Sequence, residues 1–250
     1  MRALRISLIT AVVLGGLFVA ADRVAVNYAE SKVADKVRSS QGLSRTPDVS
    51  INGFPFLTQV AGKQLDDVDV SLKGVSATAD GRPVNITEVK AELADVKIDS
   101  NFSSAVAGTA DGSGRVTYED LSRAAPQGAT VAYAGPERAQ RGQVKVTGPL
   151  MDLLKGSDKR PATGGLGDLL NQEVTVYSSV ELVDGKTVRL TAETLPGGIP
   201  VPGLDGLLRD VLDYDLTLDG LPTPLKLDRV TATDKGLKFS GTGKNVSLVG

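Results

Sequence analysis

Three carboxylates late in the chain, those of Asp213, Asp215 and Asp219, have a spacing similar to that of a calcium-binding loop. Such a loop requires a glycine at its sixth position and an acid at its twelfth. Counted from Asp213, Gly220 is out of place and no acid occupies the twelfth position. We therefore interpret these acids as alternating residues on the solvent-facing side of a strand. The same interpretation applies to a second acidic cluster, formed by Asp66, Asp67 and Asp69.

The residue types used most often in catalysis are missing from this sequence, which contains no Cys and no His. The chain therefore lacks thiolate zinc ligands, a Cys nucleophile and the commonest general base. Gly185-Lys186-Thr187 ends like a phosphate-binding loop, but Val180 stands where the first glycine of that loop is required. No serine lies in a G-x-S-x-G motif or has a lysine three positions later. We predict that the protein is not an enzyme and uses neither a metal nor a cofactor.

Composition favours a β-rich fold with an aliphatic core. Hydrophobic residues make up 41% of the chain, but aromatic residues only 4%, and there is no Trp. The 28 Gly and 12 Pro suit many tight turns between short strands. The formal net charge of −2 gives no basic field, so we predict no nucleic-acid partner.

The first 21 residues resemble an export signal. Arg2 and Arg5 precede an apolar run from Ile6 to Ala21. Its length of about 16 residues is below the roughly 20 that an untilted transmembrane helix needs. Two alternatives remain, a signal peptide cleaved before Asp22, which small residues at the junction favour, and a retained membrane anchor. In both cases the positive-inside rule places the residues after 22 outside the cytoplasmic membrane.

Residues 22–40 are predicted to form one amphipathic helix that opens on Asp22 and ends near Gly42. The segment contains no Gly or Pro. Its apolar residues recur at spacings of three and four: Val26, Ala29, Val33 and Val37. The stripe is narrow and made of small residues, which favours packing against a sheet.

From Pro47 onward the apolar period changes to two, as in half-buried antiparallel strands. The alternating residues are Val49 and Ile51, Val68 to Leu72, Val84 and Ile86, Ala91 and Leu93, and Val96 and Ile98. Later strands flank Asp184-Gly185, a pair that supplies the positive dihedral angles of a tight hairpin turn. The stretch from Gly156 to Gly167 is predicted to be a surface loop.

Two further short helices are predicted. One runs from Tyr118 to Ala125 after Thr117, a good N-cap residue. The other carries the most apolar helical stripe after the N-terminus, formed by Leu204, Leu207, Leu208, Val211 and Leu212.

The segment Gly53-Phe54-Pro55-Phe56-Leu57-Thr58-Gln59-Val60 concentrates two of the five Phe residues within three positions. Pro55 cannot donate to a strand ladder and restricts Phe54, so the strand should end here and a short helix should begin. One interpretation is a hydrophobic plug at the end of the sheet. The other is a cavity mouth or a corner that touches a membrane, with Phe56 more sensitive for binding than Phe54.

Five parts of the chain resemble the LmeA-like family of actinobacterial cell-envelope phospholipid-binding proteins. They are this segment, the apolar N-terminus, the helix from Val24 to Arg38, the Val116-Thr117-Tyr118-Glu119-Asp120-Leu121 turn and the tail around Leu221-Pro222. The resemblance runs over most of the chain, and the G-F-P-F-L-T-Q run is its most specific part. It implies an α+β fold of the BPI or tubular lipid-binding type. In such a fold a strongly curved antiparallel β-sheet wraps around a long N-terminal helix, with short additional helices and an acyl-chain groove. No catalytic residue carries over.

The resemblance and the composition together predict a signal or anchor at residues 1–21 and a lipid-binding domain at residues 22–250. The predicted function is non-enzymatic phospholipid binding or lipid transfer in the periplasm or cell envelope, in support of mannan and lipoglycan biosynthesis. Expected partners are an anionic phospholipid, the membrane surface and envelope glycosyltransferases. The alternative is an anchored scaffolding protein without a ligand cavity. The predicted groove residues are Phe54, Phe56, Leu57, Val60, Leu204, Leu207, Leu208 and Val211.

Overall fold

The computed structural model describes residues 2–40, 43–79, 82–101, 103–125, 128–154, 172–194, 209, 212–217 and 226–249. Within these residues the predicted α+β class is confirmed, with a long N-terminal helix and antiparallel sheets. The described helices are α1 (Arg2–Ser40), α2 (Phe56–Ala61), α3 (Tyr118–Ala124), α4 (Pro136–Gln140) and α5 (Leu150–Leu154).

The strands are β1 (Asp48–Asn52), β2 (Gln64–Ala79), β3 (Arg82–Ile98), β4 (Ala105–Val116), β5 (Thr130–Tyr133), β6 (Gln143–Pro149), β7 (Glu173–Val183), β8 (Thr187–Thr194), β9 (Tyr214–Thr217), β10 (Lys226–Thr233) and β11 (Gly236–Val249). They form a six-stranded sheet of order β1-β2-β3-β4-β11-β10 and a five-stranded sheet of order β5-β6-β7-β8-β9. The strong curvature, and the wrapping of a sheet around the helix, remain a prediction.

The chain divides into two compact units. Unit 1 comprises residues 1–73, 90–111 and 243–250, and unit 2 comprises residues 74–89 and 112–242. Each unit has its own hydrophobic core, and the described members of both cores are mainly Val, Leu and Ala. Among these buried core residues, Phe56 is the aromatic member in unit 1 and Phe239 in unit 2. The aliphatic interior that the composition predicted is therefore present in both.

Helix α1 is longer than the sequence predicted. It does not open on Asp22 but runs without a break from Arg2 to Ser40. Its buried residues are Asp22, Val26 and Ala34, whereas Val33 is exposed. The contact face thus follows a spacing of four through the small Ala34, which permits close packing, and the predicted place of Val33 in the stripe is wrong. Residues 2–21 are exposed throughout.

The long strands keep one face toward the core by changing phase at a residue with positive φ. In β3, Leu93 and Val96 are both buried although an odd number of positions separates them. Asp95 between them has a φ of 53°, a left-handed backbone conformation that interrupts the strict alternation of side chains along the strand. Asn245 has the same φ of 53° in β11, where it precedes the buried Val246. The alternating segments predicted between residues 84 and 98 are therefore parts of one strand.

Two local predictions are confirmed. Asp184 and Gly185 have φ values of 57° and 66° in the turn between β7 and β8, and β8 pairs antiparallel with β7. Helix α3 follows Thr117, whose side chain accepts a hydrogen bond from the backbone N–H of Asp120. The predicted loop from Gly156 to Gly167 lies outside the described residues, as do Leu204, Leu207, Leu208 and Val211.

Candidate functional site

The Gly53–Gln59 corner, defined as the turn from β1 into α2, is fixed by the side chain of Gln59. Its Nε2 donates to the carbonyl oxygen of Asn52 at 3.3 Å, and its Oε1 accepts from the backbone N–H of Asp66 at 2.9 Å. Gly53 has a φ of 91°, and a Cβ there would lie 2.6 Å from Gln59 Nε2. Glycine is therefore required both by the backbone conformation and by the position of the Gln59 amide.

Helix α2 begins where the sequence predicted, directly after Pro55, and the Phe54–Pro55 peptide bond is cis. Pro55 has an extended backbone with a φ of −79° and a ψ of 139°. The hydroxyl of Thr58 donates to the Pro55 carbonyl oxygen at 2.8 Å. Both polar side chains of the G-F-P-F-L-T-Q run, those of Thr58 and Gln59, therefore bond to backbone groups of or near the corner.

The two phenylalanines of the corner differ in environment. Phe56 is 6% exposed and belongs to the unit 1 core, whereas Phe54 is 54% exposed. Leu57 is also exposed, at 36%, while Val60 packs against the core. The positions favour the plug interpretation for Phe56 and a surface role for Phe54, so they do not support the expectation that Phe56 is the more sensitive for binding.

Asp22 links α1 to this corner, which the sequence did not predict. Its side chain is fully buried, and its Oδ1 accepts a hydrogen bond from the backbone N–H of Leu57 at 2.9 Å. Its Oδ2 has no hydrogen-bond partner but lies 3.6 Å from the guanidinium of Arg23. The signal that could have found this contact is the place of Asp22 four residues before Val26, on the buried face of α1.

Arg23 points from the same turn of α1 to the exposed ring of Phe54. Its guanidinium carbon lies 5.3 Å from the ring centroid, within the range of a cation–π contact. Arg23 itself is half exposed. The surface of the corner is therefore an arginine, an aromatic ring and the leucine side chain of Leu57 at the point where the exposed apolar part of α1 ends.

The four residues of the second predicted patch lie outside the described part of the chain. Two residues beside them are described. Leu212 is 3% exposed and belongs to the unit 2 core, and Arg209 donates to the carbonyl oxygen of Ala192 at 2.9 Å.

The acidic residues make protein contacts of their own. Asp213 Oδ1 accepts from the backbone N–H of Ala192. Asp215 accepts two hydrogen bonds from Arg189, of 2.7 and 2.8 Å, and those bonds lower the pKa of its carboxyl. Asn52 Nδ2 donates to Asp67 and Asp69. In the described residues no group of three or more acids could hold a metal ion.

The V-T-Y-E-D-L turn has a structural role. Thr117 Oγ1 donates to Asp120 Oδ2 at 2.7 Å, and Arg123 donates to Asp120 Oδ1 at 2.8 Å. The Tyr118 hydroxyl donates to the carbonyl oxygen of Thr233 at 2.6 Å. Burial raises the pKa of Tyr118 to about 12. The tyrosine therefore stays neutral and acts as a partly buried link between α3 and the end of β10.

The unit 2 core contains a small apolar cavity of about 10 Å³. Such a volume holds at most one water molecule, and an apolar lining gives that water no hydrogen-bond partner. The lining residues are Leu121, Val131, Val144, Val188, Leu190, Leu237 and Phe239. At this place, unit 2 is too closely packed to accept an acyl chain.

The family model described as LmeA-like phospholipid-binding matches residues 20–242. The chain belongs to the LmeA-like phospholipid-binding family. No curated protein and no solved structure matches the chain.

The LmeA-like match covers nearly the whole chain and includes residues of both units. It begins at residue 20, close to the end of the exposed apolar part of α1. The Gly53–Gln59 corner, Asp22 and Arg23 all lie inside it. Family membership therefore supports phospholipid binding for the region that contains the candidate site.

Proposed function

We propose that the chain is a non-enzymatic phospholipid-binding or lipid-transfer protein of the cell envelope that holds acyl chains in an aliphatic groove. The observation that carries this proposal is the match to the LmeA-like phospholipid-binding family over residues 20–242. Exposing an acyl chain to water costs about 0.8 kcal/mol per methylene group. A protein that carries lipid through water must therefore supply an apolar surface, and a Val-, Leu- and Ala-rich interior is suited to that task.

The proposed groove residues are the same ones that the sequence predicted, and their exposure suggests two different positions in the groove. Phe54 and Leu57, which are exposed, would form its mouth, and Phe56 and Val60, which face the core, would form an inner wall. Leu204, Leu207, Leu208 and Val211, which lie outside the described residues, remain proposed lipid-binding residues on the ground of their apolar helical spacing in the sequence. The proposed ligand is an anionic phospholipid, and Arg23 beside Phe54 supplies a cation for its phosphate.

The proposed location is the outer face of the cytoplasmic membrane. Helix α1 is long and apolar enough to cross a membrane by length and composition, and Arg2 and Arg5 favour a cytoplasmic N-terminus. We further propose that the protein supports mannan and lipoglycan biosynthesis together with envelope glycosyltransferases, a role that rests on the family resemblance. A reporter active only in the cytoplasm, fused after Gly250, should be silent.

A second candidate function is an anchored scaffold without a ligand cavity. The small size of the cavity in the unit 2 core favours it, because that region has no room for an acyl chain. The two functions differ in what the purified protein contains.

The test is organic extraction of the full chain, purified from its native envelope, followed by mass spectrometry of the lipids. The proposal requires phospholipid in a stable ratio to protein that persists after exchange into a lipid-free detergent. A transmembrane protein of similar size, purified in parallel, controls for lipid carried over with the detergent. Equal lipid content in both would favour the scaffold.

A further inference from the structure

The exposed side chains of the Gly53–Gln59 corner lie beside the point where the exposed apolar part of α1 ends. Residues 2–21 of α1 are exposed along their whole length, and the next residue, Asp22, bonds to the backbone of Leu57 at 2.9 Å. Arg23 follows, with its guanidinium 5.3 Å from the ring centroid of Phe54. All these residues belong to unit 1.

The corner holds Phe54 outward on a rigid turn. The Gln59 side chain joins Asn52 to Asp66 across the turn, and α2 is tied to α1 through Asp22. The side chain of Phe54 is more than half exposed on this turn, so much of its ring is available to contact another surface. A ring next to an arginine is an arrangement suited to the headgroup region of a bilayer, where the ring contacts acyl chains and the guanidinium contacts phosphate.

The length of the exposed apolar part of α1 determines which residues would lie at the surface of a bilayer that it crosses. A helix rises 1.5 Å per residue, so the apolar run Ile6–Ala21 spans about 24 Å of a hydrocarbon core about 30 Å thick. The long side chains of Arg2 and Arg5 can reach the headgroup region on the opposite side. When that segment crosses the membrane, Asp22 and Arg23 come to the headgroup level. The hydrogen bond between Asp22 and Leu57 then brings the corner to the same level.

We infer that Arg23, Phe54 and Leu57 form a membrane-docking surface that lies in the headgroup region of the bilayer crossed by residues 2–21. The occupant is phospholipid, not a protein partner, because the corner adjoins residues 2–21, which are exposed and belong to a helix that is long and apolar enough to cross a membrane. This inference rests on the membrane location in the proposed function but not on an acyl-chain groove. The surface would place the proposed groove mouth against its lipid source.

The sequence contains no Trp and no Cys, so one introduced Trp or Cys gives a signal from a single known position. The full chain carrying Phe54→Trp is reconstituted in nanodiscs of phosphatidylglycerol and phosphatidylethanolamine, with and without brominated acyl chains. The matched control is Tyr28→Trp, because Tyr28 is an aromatic residue, 65% exposed, on α1, the helix that carries Asp22 and Arg23. It lies six residues beyond Asp22, about 9 Å further along the axis.

The expected result is a blue-shifted emission for Phe54→Trp and a larger loss of fluorescence to brominated lipid than for Tyr28→Trp. A bimane label on Leu57→Cys should show the same loss, which provides a second probe if the tryptophan disturbs the turn. A blue shift without quenching by lipid would overturn the inference, because the ring would then be covered by protein. Emission typical of water at both positions would also overturn it. Neither outcome depends on the lipid extraction, so the docking surface and the groove can fail separately.

Discussion

Asp22 Oδ1 lies 2.9 Å from the backbone nitrogen of Leu57 and accepts its hydrogen bond, although the two residues are 35 positions apart. The bond joins a fully buried carboxylate in α1 to the first turn of α2. It thereby fixes the exposed corner of unit 1 to the end of the apolar part of α1. The arrangement of the candidate site depends on this contact.

Substitution of Asp22 should therefore destabilise unit 1. We expect Asp22→Ala to cost about 1–3 kcal/mol of unfolding free energy, because the Leu57 N–H loses its acceptor in a partly buried place. Asp22→Asn keeps a side-chain oxygen and should cost less. The measurement is chemical denaturation of the full chain in detergent micelles. Equal stability of Asp22→Ala and the parent chain would show that the bond contributes nothing.

The two phenylalanines of the corner should respond differently to truncation. Phe56→Ala removes a buried ring and should cost about 3–5 kcal/mol of stability. Phe54→Ala removes an exposed ring with one cation–π contact and should cost about 0.5–1 kcal/mol. Binding to liposomes that contain phosphatidylglycerol should fall for Phe54→Ala, measured on the folded protein in excess of free lipid. If both substitutions destabilised the protein strongly and left lipid binding unchanged, the whole segment would be part of the core and not a lipid-binding site.

Much of the fold could be predicted because its signals are local. The hairpin of β7 and β8 follows from Asp184-Gly185, whose positive φ values the turn requires. Helix α3 follows from its Thr117 cap. The division of the β3 residues into separate segments was wrong. The positive φ of Asp95 interrupts the alternation of apolar residues within one strand, and the sequence pattern alone does not distinguish such an interruption from the end of a strand.

The candidate site was predicted only in part. Pro55 and the neighbouring phenylalanines correctly predicted a strand end and a helix start. Which ring faces the core depends on contacts between residues distant in sequence. The helical spacing from Val26 could place Asp22 on the buried face of α1, but not its bond to Leu57, because the partner is a backbone group 35 positions away. Helical spacing placed Val33 on the buried face, but the packing of α1 selects Ala34, one position away.

Gly53 should be intolerant of a side chain, unlike a nearby glycine. Gly53→Ala places a Cβ at a φ of 91° and 2.6 Å from Gln59 Nε2. We expect a loss of about 1–3 kcal/mol, from backbone strain together with displacement of the Gln59 amide. Gly62→Ala is the control, because Gly62 has a φ of −77° and the nearest atom to its added Cβ is 3.4 Å away. Thermal melts that shift equally for both variants would contradict this account of the corner.

Stability should fall at high pH because of Tyr118. Burial raises the pKa of this tyrosine from 10.0 to about 12, and its hydroxyl donates to the Thr233 carbonyl oxygen. Below pH 10 the side chain is neutral in both the folded and the unfolded chain, so its contribution to stability is fully present. Between pH 10 and 12 the unfolded chain releases the phenol proton while the folded chain retains it. The free energy of unfolding therefore decreases through this window.

The measurement is the unfolding free energy of the parent chain and of Tyr118→Phe at several pH values from 8 to 12. Tyr118→Phe should be less stable than the parent at pH 8, because it lacks the hydrogen bond to Thr233. The difference between the two chains should narrow above pH 10, since only the parent contains this titrating group. Tyr28→Phe is the matched control, because Tyr28 is 65% exposed on α1, and it should follow the parent over the whole range. A constant difference between Tyr118→Phe and the parent from pH 8 to 12 would mean that the phenol ionises equally in both states, contrary to its burial.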